Sequence, residues 1–403
     1  MARTRGPRTA TALLERAVID AFDGGTPLSR VELVQRTGLS RTVITALVDR
    51  LIERGVLTTA PPAPRPDGGR GRRSTAYRLN RALTSAALVH AHRTHTSVTL
   101  ATPDGPLVEH GIDVPWTRPW EEWAGAVQAA LDEAEDRHDR SPPYAVVAVP
   151  FPVRHPAGDI PAAPSQPAAG HGSPVAEALD RWRRDDPRPR LARMLGRPVY
   201  LHNDANLAAL GEAHYGAARD ATAAIHVSVR HGVGAGIIID GRLFTGALGT
   251  AGELAHVQVV EDGPYCPCGN RGCLATQTAG PETDPSLARL YERPLTTADI
   301  HHLLVHNDPI AVRFFRDLGR LVARALAGTI IMLNPDTIVI DATLDHAHPA
   351  FTDGLSTNLA HHCPPSHLHD LRIIPGTLPS AHAYGALALH DAGGRRGLAG
   401  GFA

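Results

Sequence analysis

The sequence predicts an α/β protein in two parts: a small N-terminal module of helices and a β-hairpin, then a larger body of two lobes around a cleft. Three observations lead there. From Ala86 onward, short apolar segments alternate with helical stretches in two successive halves, the pattern of an α/β body. Before residue 80, apolar residues recur at helical spacing between cap signals. Finally, three of the four cysteines fall within eight residues, marking a locally organised site.

A chain of 403 residues is long enough for two or three domains, each with its own core. No apolar run approaches the roughly 20 residues of a membrane helix. The start, Met1-Ala-Arg-Thr-Arg-Gly-Pro-Arg, has no hydrophobic region after its charges. The expectation is a soluble, cytoplasmic protein with no membrane partner. Every basic residue is arginine, a composition that fits a GC-rich coding genome. The formal net charge of −1 is unevenly spread: residues 1–80 hold fourteen Arg against seven Asp and Glu, an excess of +7 that leaves −8 for the remainder. A basic module on an acidic body suggests a polyanionic partner, although a solvated basic face would have the same composition.

The module is expected to occupy residues 1–80. Ala10 to Phe22 carries Leu13, Leu14, Ala17, Val18 and Ala21 at helical spacing and ends at Gly24-Gly25. A second helix starts at Ser29, where Ser29-Arg-Val-Glu32 matches a capping box, and stops at Gly38. Ser40 caps a third, in which Ile44, Leu47, Val48 and Leu51 form the inward stripe. Two short helices around a Gly-Leu-Ser turn describe a helix-turn-helix, with Arg41, Thr42 and Thr45 facing the major groove of DNA. Val56–Thr59 and Ser74–Leu79 read as the strands of a wing. Their connection carries Arg70, Arg72 and Arg73, suited to phosphates or a narrow minor groove. A plain three-helix interaction domain is the alternative, which the arginine-bearing connection disfavours.

His256 lies ten positions before Cys266, and Cys266, Cys268 and Cys273 follow as C-x-C-x4-C. Three thiolates and one imidazole complete a tetrahedral shell for Zn2+, leaving no open position for a catalytic water, so the site reads as structural. A disulfide would leave an odd thiol, and nothing places the chain in an oxidising compartment. Cys363 is the one cysteine outside the cluster.

In the body, Ala87–Ala91, Ser97–Ala101 and Leu107–Ile112 read as consecutive strands, Trp120–Arg137 as a helix and Ala145–Val149 as a buried strand. Residues 154–175, rich in Pro, Ala and Gly, read as a loop. A second lobe begins near Val199, with helix Ala205–Tyr215, strands Ala224–Val229 and Gly236–Ile239, helix Ala311–Met332 and strand Thr337–Ile340. The expected lobes are residues 81–200 and 201–403, the second carrying the cysteine motif, with the C-terminal helix able to pack back on the first.

Four stretches in this order, His202-Asn-Asp204-Ala-Asn206…Glu212, Gly232-Val-Gly234-Ala-Gly236, Gly246…Gly252-Glu253-Leu-Ala-His256 and Cys-x-Cys-Gly-x-x-Gly-Cys, resemble the ROK family (repressors, open reading frames and kinases) over about residues 85–395. The resemblance implies an actin-like, hexokinase-like (ribonuclease H-like) two-lobe body, a structural zinc and a sugar-binding cleft. A winged helix at the N-terminus is the arrangement of the family's repressors.

Family sugar kinases carry an Asp-x-Gly-Gly-Thr turn after the first strand, whose backbone cradles phosphate. Here the stretch is His90-Ala91-His92-Arg93-Thr94. Their Gly-Thr-Gly-x-Gly turn keeps Gly232, Gly234 and Gly236 but is preceded by Arg230-His231, and a later glycine-rich turn reads Asp341-Ala342-Thr343. Three nucleotide-contact positions have changed together, so the expectation is not an enzyme. Asp204 stands at the kinases' catalytic base. The resemblance places it with Asn203, Glu253 and His256 in an effector site that reads hydroxyls; Asn203-Asp204 can equally cap the following helix. His256 would serve both metal and ligand through its two nitrogens. Two departures qualify the sugar reading: Ala275 replaces a family glutamate, and Phe151 in Pro150-Phe-Pro-Val153 puts a phenyl ring near the expected pocket.

The combined expectation is a transcriptional regulator, a repressor in the first instance. It would bind an inverted-repeat, double-stranded DNA operator as a homodimer or dimer of dimers, and respond to a small-molecule effector such as a sugar. A ROK sugar kinase with a DNA-binding module and an effector-independent DNA-binding protein are the rivals.

Overall fold

The computed structural model describes Leu14, Ala17, Val18 and residues 21–22, 27–53, 57–60, 75–79, 85–92, 94–102, 105–138, 140–153, 174–184, 186–229, 232–277, 284–342 and 348–393. The expected first helix is represented by Leu14, Ala17 and Val18. Its remaining expected residues before Ala21, the connection bearing Arg70, Arg72 and Arg73, and residues Arg93, Arg230, His231 and Thr343 lie outside the described residues.

Ser29 ends β1 (Leu28–Ser29) and caps α1 (Arg30–Thr37): its hydroxyl accepts from the Glu32 N–H while the Glu32 carboxylate accepts from the Ser29 N–H at 2.7 Å. Gly38, left-handed at φ 68°, closes the helix by donating to the Val34 carbonyl. Ser40 then caps α2 (Arg41–Glu53), accepting from Val43 N–H at 3.4 Å. Ile44, Leu47, Val48 and Leu51 are buried with Val18, Phe22, Leu33 and Tyr77, so the inward stripe lies where its spacing puts it. β2 (Leu57–Ala60) pairs antiparallel with β3 (Ala76–Leu79), and β3 also pairs with β1. The contribution of β1 was not legible, because a two-residue strand has no periodicity.

The first body sheet comprises β4 (Ala86–Ala91), β5 (Thr96–Thr102), β6 (Gly105–Ile112), β7 (Ala145–Val149) and β8 (Val199–Asn203) in the order β6-β5-β4-β7-β8. The β4–β5–β6 meander is antiparallel, and β7 and β8 run parallel to β4. The second comprises β9 (Ala223–Val229), β10 (Val233–Ile239), β11 (Arg242–Leu243), β12 (Thr337–Ile340) and β13 (Arg372–Pro375) in the order β11-β10-β9-β12-β13. Its pairings have the same senses, so one five-stranded plan occurs twice. The expected lobe boundary at residue 200 falls inside β8, which runs on to Asn203 as an edge of the first sheet.

One face of the first sheet is covered by α3 (Trp120–His138), α4 (Pro174–Arg184) and α5 (Pro187–Met194), around Trp116, Trp120, Trp123 and Trp182. The expected loop over 154–175 is corrected at its end, since α4 begins at Pro174. Neither α4 nor α5 was anticipated; proline sits in the first turn of each, where it starts a helix rather than breaking it. The Phe151 ring is likewise corrected. It is 6% exposed and packs edge-on against Trp116 and Trp182 at 5.2 and 5.5 Å, in the core rather than in a pocket.

Between the sheets run α6 (Asp204–Tyr215) and, after α7 (Leu274–Gln277), α8 (Pro285–Leu290), α9 (Thr297–Val305), α10 (Pro309–Leu333), α11 (His348–His362) and α12 (Pro365–Leu368), the last helix, α13 (Ala381–Gly393). Leu207 of α6 and Ala383, Ala386 and Leu387 of α13 pack on the first sheet; Ala209, Leu210, Ala213 and Ala388 pack on the second. The two helices touch backbone to backbone. A Cβ on Gly211 would lie 2.1 Å from the Ala381 carbonyl oxygen, and one on Gly385 would lie 1.9 Å from that of Leu207. Buried Glu212 accepts from the N–H groups of Ala217, Thr377 and Leu378 at 2.7–3.1 Å, holding the turn that leads into α13. Helices α10 and α11 cover the outer face of the second sheet. No helix among the described residues is long and apolar enough to cross a membrane.

Candidate functional site

Strand β8 delivers Asn203 and α6 starts on Asp204, at the end of the first sheet. Asn203 is the helix cap: its side-chain oxygen accepts from Asn206 N–H at 3.0 Å and its amide donates to the Phe151 carbonyl at 3.4 Å. Its hydrogen-bonding capacity is thus largely committed to the fold. Asp204 accepts from the Ala205 N–H through Oδ1 at 2.7 Å, while Oδ2 lies 3.7 Å from His90 Nε2. Register explains that meeting, because His90 of β4 aligns with Ala148 of β7, which aligns with His202 of β8.

Glu253 faces the same carboxylate. Burial, and then the negative charge of Asp204, push its pKa up to about 7 from an ordinary 4.5. A carboxyl poised there donates a hydrogen bond when protonated and accepts when ionised, which suits hydroxyl recognition. Because the folded pKa is raised, its contribution to stability is complete below about pH 4.5 and is lost as pH rises through 7. Glu253→Gln should abolish that decline and leave the variant more stable than the parent at pH 8 by on the order of 2 kcal/mol. Urea melts at pH 5 and pH 8 check this; identical pH slopes for both proteins would refute it.

His256 closes the short turn Leu254–His256, three residues beyond Glu253. Its Nδ1 lies 3.5 Å from Cys266 Sγ, and Cys268 Sγ lies 3.5 Å from Cys273 Sγ. One ligand atom from each of the four residues falls within 4.8 Å of the others. Two sulfurs and a nitrogen on a tetrahedral ion with bonds of about 2.3 and 2.0 Å would be separated by about 3.8 Å (S···S) and 3.5 Å (S···N), close to the two 3.5 Å separations, so the cluster could hold a metal. Two of the three thiols on their own resist ionisation. Burial pushes Cys273 up to about 12 and raises Cys266; Cys268 is held down, because its bond to the Asn270 backbone and the neighbouring thiols outweigh burial. A dication is what would make three adjacent thiolates compatible. Burial lowers the His256 pKa, favouring the neutral, ligating imidazole.

In the run Gly232-Val-Gly234-Ala-Gly236, Gly234 and Gly236 serve packing. A Cβ on Gly236 would lie 2.4 Å from Ala209 Cβ and 2.9 Å from the Ala205 carbonyl oxygen, and one on Gly234 would lie 3.0 Å from Ala205 Cβ, whereas Gly232 meets nothing within 4 Å. Asp341 is 7% exposed and accepts from Ser228 Oγ at 2.9 Å, turned onto β9 rather than outward.

In the N-terminal module Arg41 and Thr42 are exposed at the start of α2. The Thr45 hydroxyl donates back to the Arg41 carbonyl at 2.9 Å, leaving it only acceptor capacity. Arg30 joins the parts: it pairs with Asp49 of α2 and its guanidinium sits 5.1 Å from the Tyr77 ring centre on β3. Sequence pattern carries no signal for this link.

The fold and motifs have known counterparts. The chain is 29% identical over 179 residues to the xylose repressor of Bacillus subtilis (strain 168), spanning 44% of this chain and 46% of that protein, so about half of the relative's length is matched. It is 26% identical over 386 residues to the DNA-binding transcriptional dual regulator NagC of Escherichia coli (strain K12), covering 93% of this chain and 91% of NagC. Among solved structures, a ROK family transcriptional regulator homologous to the E. coli MLC protein superposes with a TM-score of 0.72 over 96% of this chain and 98% of its own, at 22% identity, and so shares the fold. The model of the ROK family matches residues 93–391. Two sheets of one plan, helices packed between them and a Cys3His turn beside the Asp204 carboxylate are therefore the features of a chain that belongs to the ROK family.

Proposed function

We propose that the chain is a DNA-binding transcriptional regulator, a repressor in the first instance, with a winged helix-turn-helix in residues 1–80 and a ROK body whose lobes divide near residue 200. The observation that carries this is the likeness to NagC, whose name describes a DNA-binding regulator, across nine-tenths of both chains. It is supported by the helix α2, whose first turn has exposed Arg41 and Thr42 and no acidic residue, a favourable end to bring to phosphates. In this reading Arg41, Thr42 and Thr45 meet base edges or phosphates, and Arg70, Arg72 and Arg73 meet the backbone or minor groove. A homodimer or dimer of dimers would bind an inverted repeat.

The body's effector is a small molecule bearing hydroxyls, a sugar first, recognised by Asp204, Glu253 and the free nitrogen of His256, with Asn203 chiefly positioning the helix. The Cys3His cluster of His256, Cys266, Cys268 and Cys273 holds structural Zn2+, which fixes His256 beside the effector. Kinase activity is lost, since the substitutions at His90–Thr94, Arg230-His231 and Asp341–Thr343 leave no phosphate cradle. Effector binding acts as a population shift between DNA-competent and incompetent arrangements. The setting is the cytoplasm.

Selection of bound sequences from a random duplex pool, with and without candidate sugars, tests the reading. An inverted repeat should emerge, and one sugar class should reduce recovery. Arg41→Ala should weaken binding to that repeat by about 1–3 kcal/mol, and alanine at Arg72 and Arg73 should weaken all duplexes and flatten the salt dependence. No enrichment at low salt would end the proposal. Sugar-dependent ATP turnover lost in Asp204→Asn would favour a kinase, and enrichment that no sugar alters, with no thermal stabilisation, would favour an effector-independent binder.

A further inference from the structure

Strand β9 divides its residues between two interiors. Ile225, Val227 and Val229 enter the core under α10 and α11, while Ala224 packs inward on α6 and α13. His226 shares the inner side with Ala224 by the two-residue period of a strand. Its partners across the sheet, Gly236 of β10 and Val339 of β12, give its ring no polar side chain. The imidazole is 3% exposed, and neither ring nitrogen has a hydrogen-bond partner among the described residues. Two buried carboxylates stand nearby, each already engaged. Asp341, just past β12, accepts from the hydroxyl of Ser228, two residues along β9. Glu212 of α6 holds the turn into α13. A Cβ on Gly376 would lie 2.7 Å from Glu212 Oε1 and 3.2 Å from the Ile340 carbonyl oxygen, which brings that carboxylate to the end of β12. β10 and α13 add Gly236, Ile238, Ala388 and Leu389 to this seam, and α6 adds the Tyr215 phenol. The buried pair His90 and His382, with ring centres 4.4 Å apart, belongs to the first-sheet side, beside Asp204.

We propose that His226 is an acid sensor between α6 and the second sheet: taking up a proton there loosens the helix that starts at Asp204. Burial lowers the pKa of this ring, and the pull of Asp341 and Glu212 does not make up for it. A neutral imidazole is tolerated in an apolar seam, whereas an imidazolium needs water or a full partner. Asp341 would have to leave Ser228 to serve, and Glu212 would have to release the turn into α13. Water would have to enter along the line where Gly236 lies against Ala205 and Ala209. The unfolded chain, at the ordinary value of 6.5, takes this proton at a higher pH than the fold does. The stability that neutral His226 preserves is therefore complete above pH 6.5 and is lost as pH falls below it. Glu253 runs the opposite way, losing its contribution as pH rises through 7, so substitution is needed to separate the two. The device rests on the fold and stands apart from the DNA and sugar readings.

The test compares the full chain with His226→Phe, which keeps a flat ring and removes the proton site. Glu253, His90 and His382 are common to both chains and cancel in the comparison. In urea melts from about pH 7.5 down to about pH 5, the folding equilibrium of the parent should fall below pH 6.5 by up to tenfold per pH unit relative to the variant, the yield of one proton. Amide exchange, corrected for its intrinsic pH dependence, should show the protection of α6 falling on acidification in the parent and holding in the variant. Parallel melts, or α6 protection that falls equally in both chains, would overturn the proposal. Should the variant fail to fold, deuterium exchange at the imidazole carbon of His226 in the parent, read by mass spectrometry, decides. Slow exchange with its midpoint below pH 6.5 supports the sensor, and a midpoint at or above 6.5 sinks it.

Discussion

If the cysteine cluster holds Zn2+ as proposed, Cys273→Ser should abolish its binding and unfold the second sheet's outer layer at a lower temperature than the rest. Cys273 is fully buried, its carbonyl accepts from Thr276 N–H, and Leu274 beside it belongs to the core shared with Val259, Phe315 and Ile338. The turn that carries the cluster is thus part of that core, and metal ligation there would contribute to folding directly. A serine hydroxyl is a poor substitute for a thiolate, and the change leaves a vacated coordination position among two remaining thiols. A loss of several kcal/mol, at about 2–4 °C per kcal/mol for a domain of this size, places the expected drop in melting temperature near 10 °C. Elemental analysis should show one equivalent fewer, and a chelator should destabilise the parent to the same extent. A variant with unchanged metal content and melting temperature would refute the cluster's role.

Gly236→Ala and Gly232→Ala should behave in opposite ways, although both glycines belong to one Gly-x-Gly-x-Gly run. If the run served nucleotide binding, either change would be tolerated by the fold and would matter only to a ligand. Instead the Gly236 methyl would meet Ala209 Cβ at 2.4 Å and the Ala205 carbonyl at 2.9 Å, whereas that of Gly232 would stand in open space. The first should push α6 away from β10 and cost about 1–3 kcal/mol, with more if the helix cannot shift. The second should stay within about 0.5 kcal/mol. Because α6 carries Asp204 at its start, Gly236→Ala should also weaken whatever the Asp204 carboxylate binds. Denaturant melts of the two variants decide; equal stabilities would show that helix packing does not explain the retained glycine.

Much of the architecture was legible because single-face burial leaves a strict period. The stripe Ile44–Leu47–Val48–Leu51 is an example, whereas β7 and β12, buried at every residue, read instead as short continuous buried runs. The Ser29–Glu32 cap was readable because its partners are three residues apart. What escaped was non-local or disguised. Pro174 at the start of α4 fell in the stretch read as loop, α5 was not anticipated, and β1 gains its strand character only from β3. The environment of Phe151 depends on tryptophans 31 and 35 residues away in sequence. The convergence of His256, Cys266, Cys268 and Cys273 was readable from spacing alone, since the chain closes on itself within eighteen residues. By contrast, His90, Asp204 and His382 are brought together by strand order and a returning helix, so the sequence showed only that a family turn was missing.

At the crossing of α6 and α13, Gly211 and Gly385 let main chain rest on main chain, Tyr215 and Tyr384 lie ring against ring at 5.5 Å, and Glu212 anchors the turn that enters α13, so the two helices are held as one unit. Because each of these helices packs on both sheets, a displacement of either one is shared by both halves of the body. A methyl or anything larger at position 211 or 385 would pry the pair apart and loosen both interiors at once.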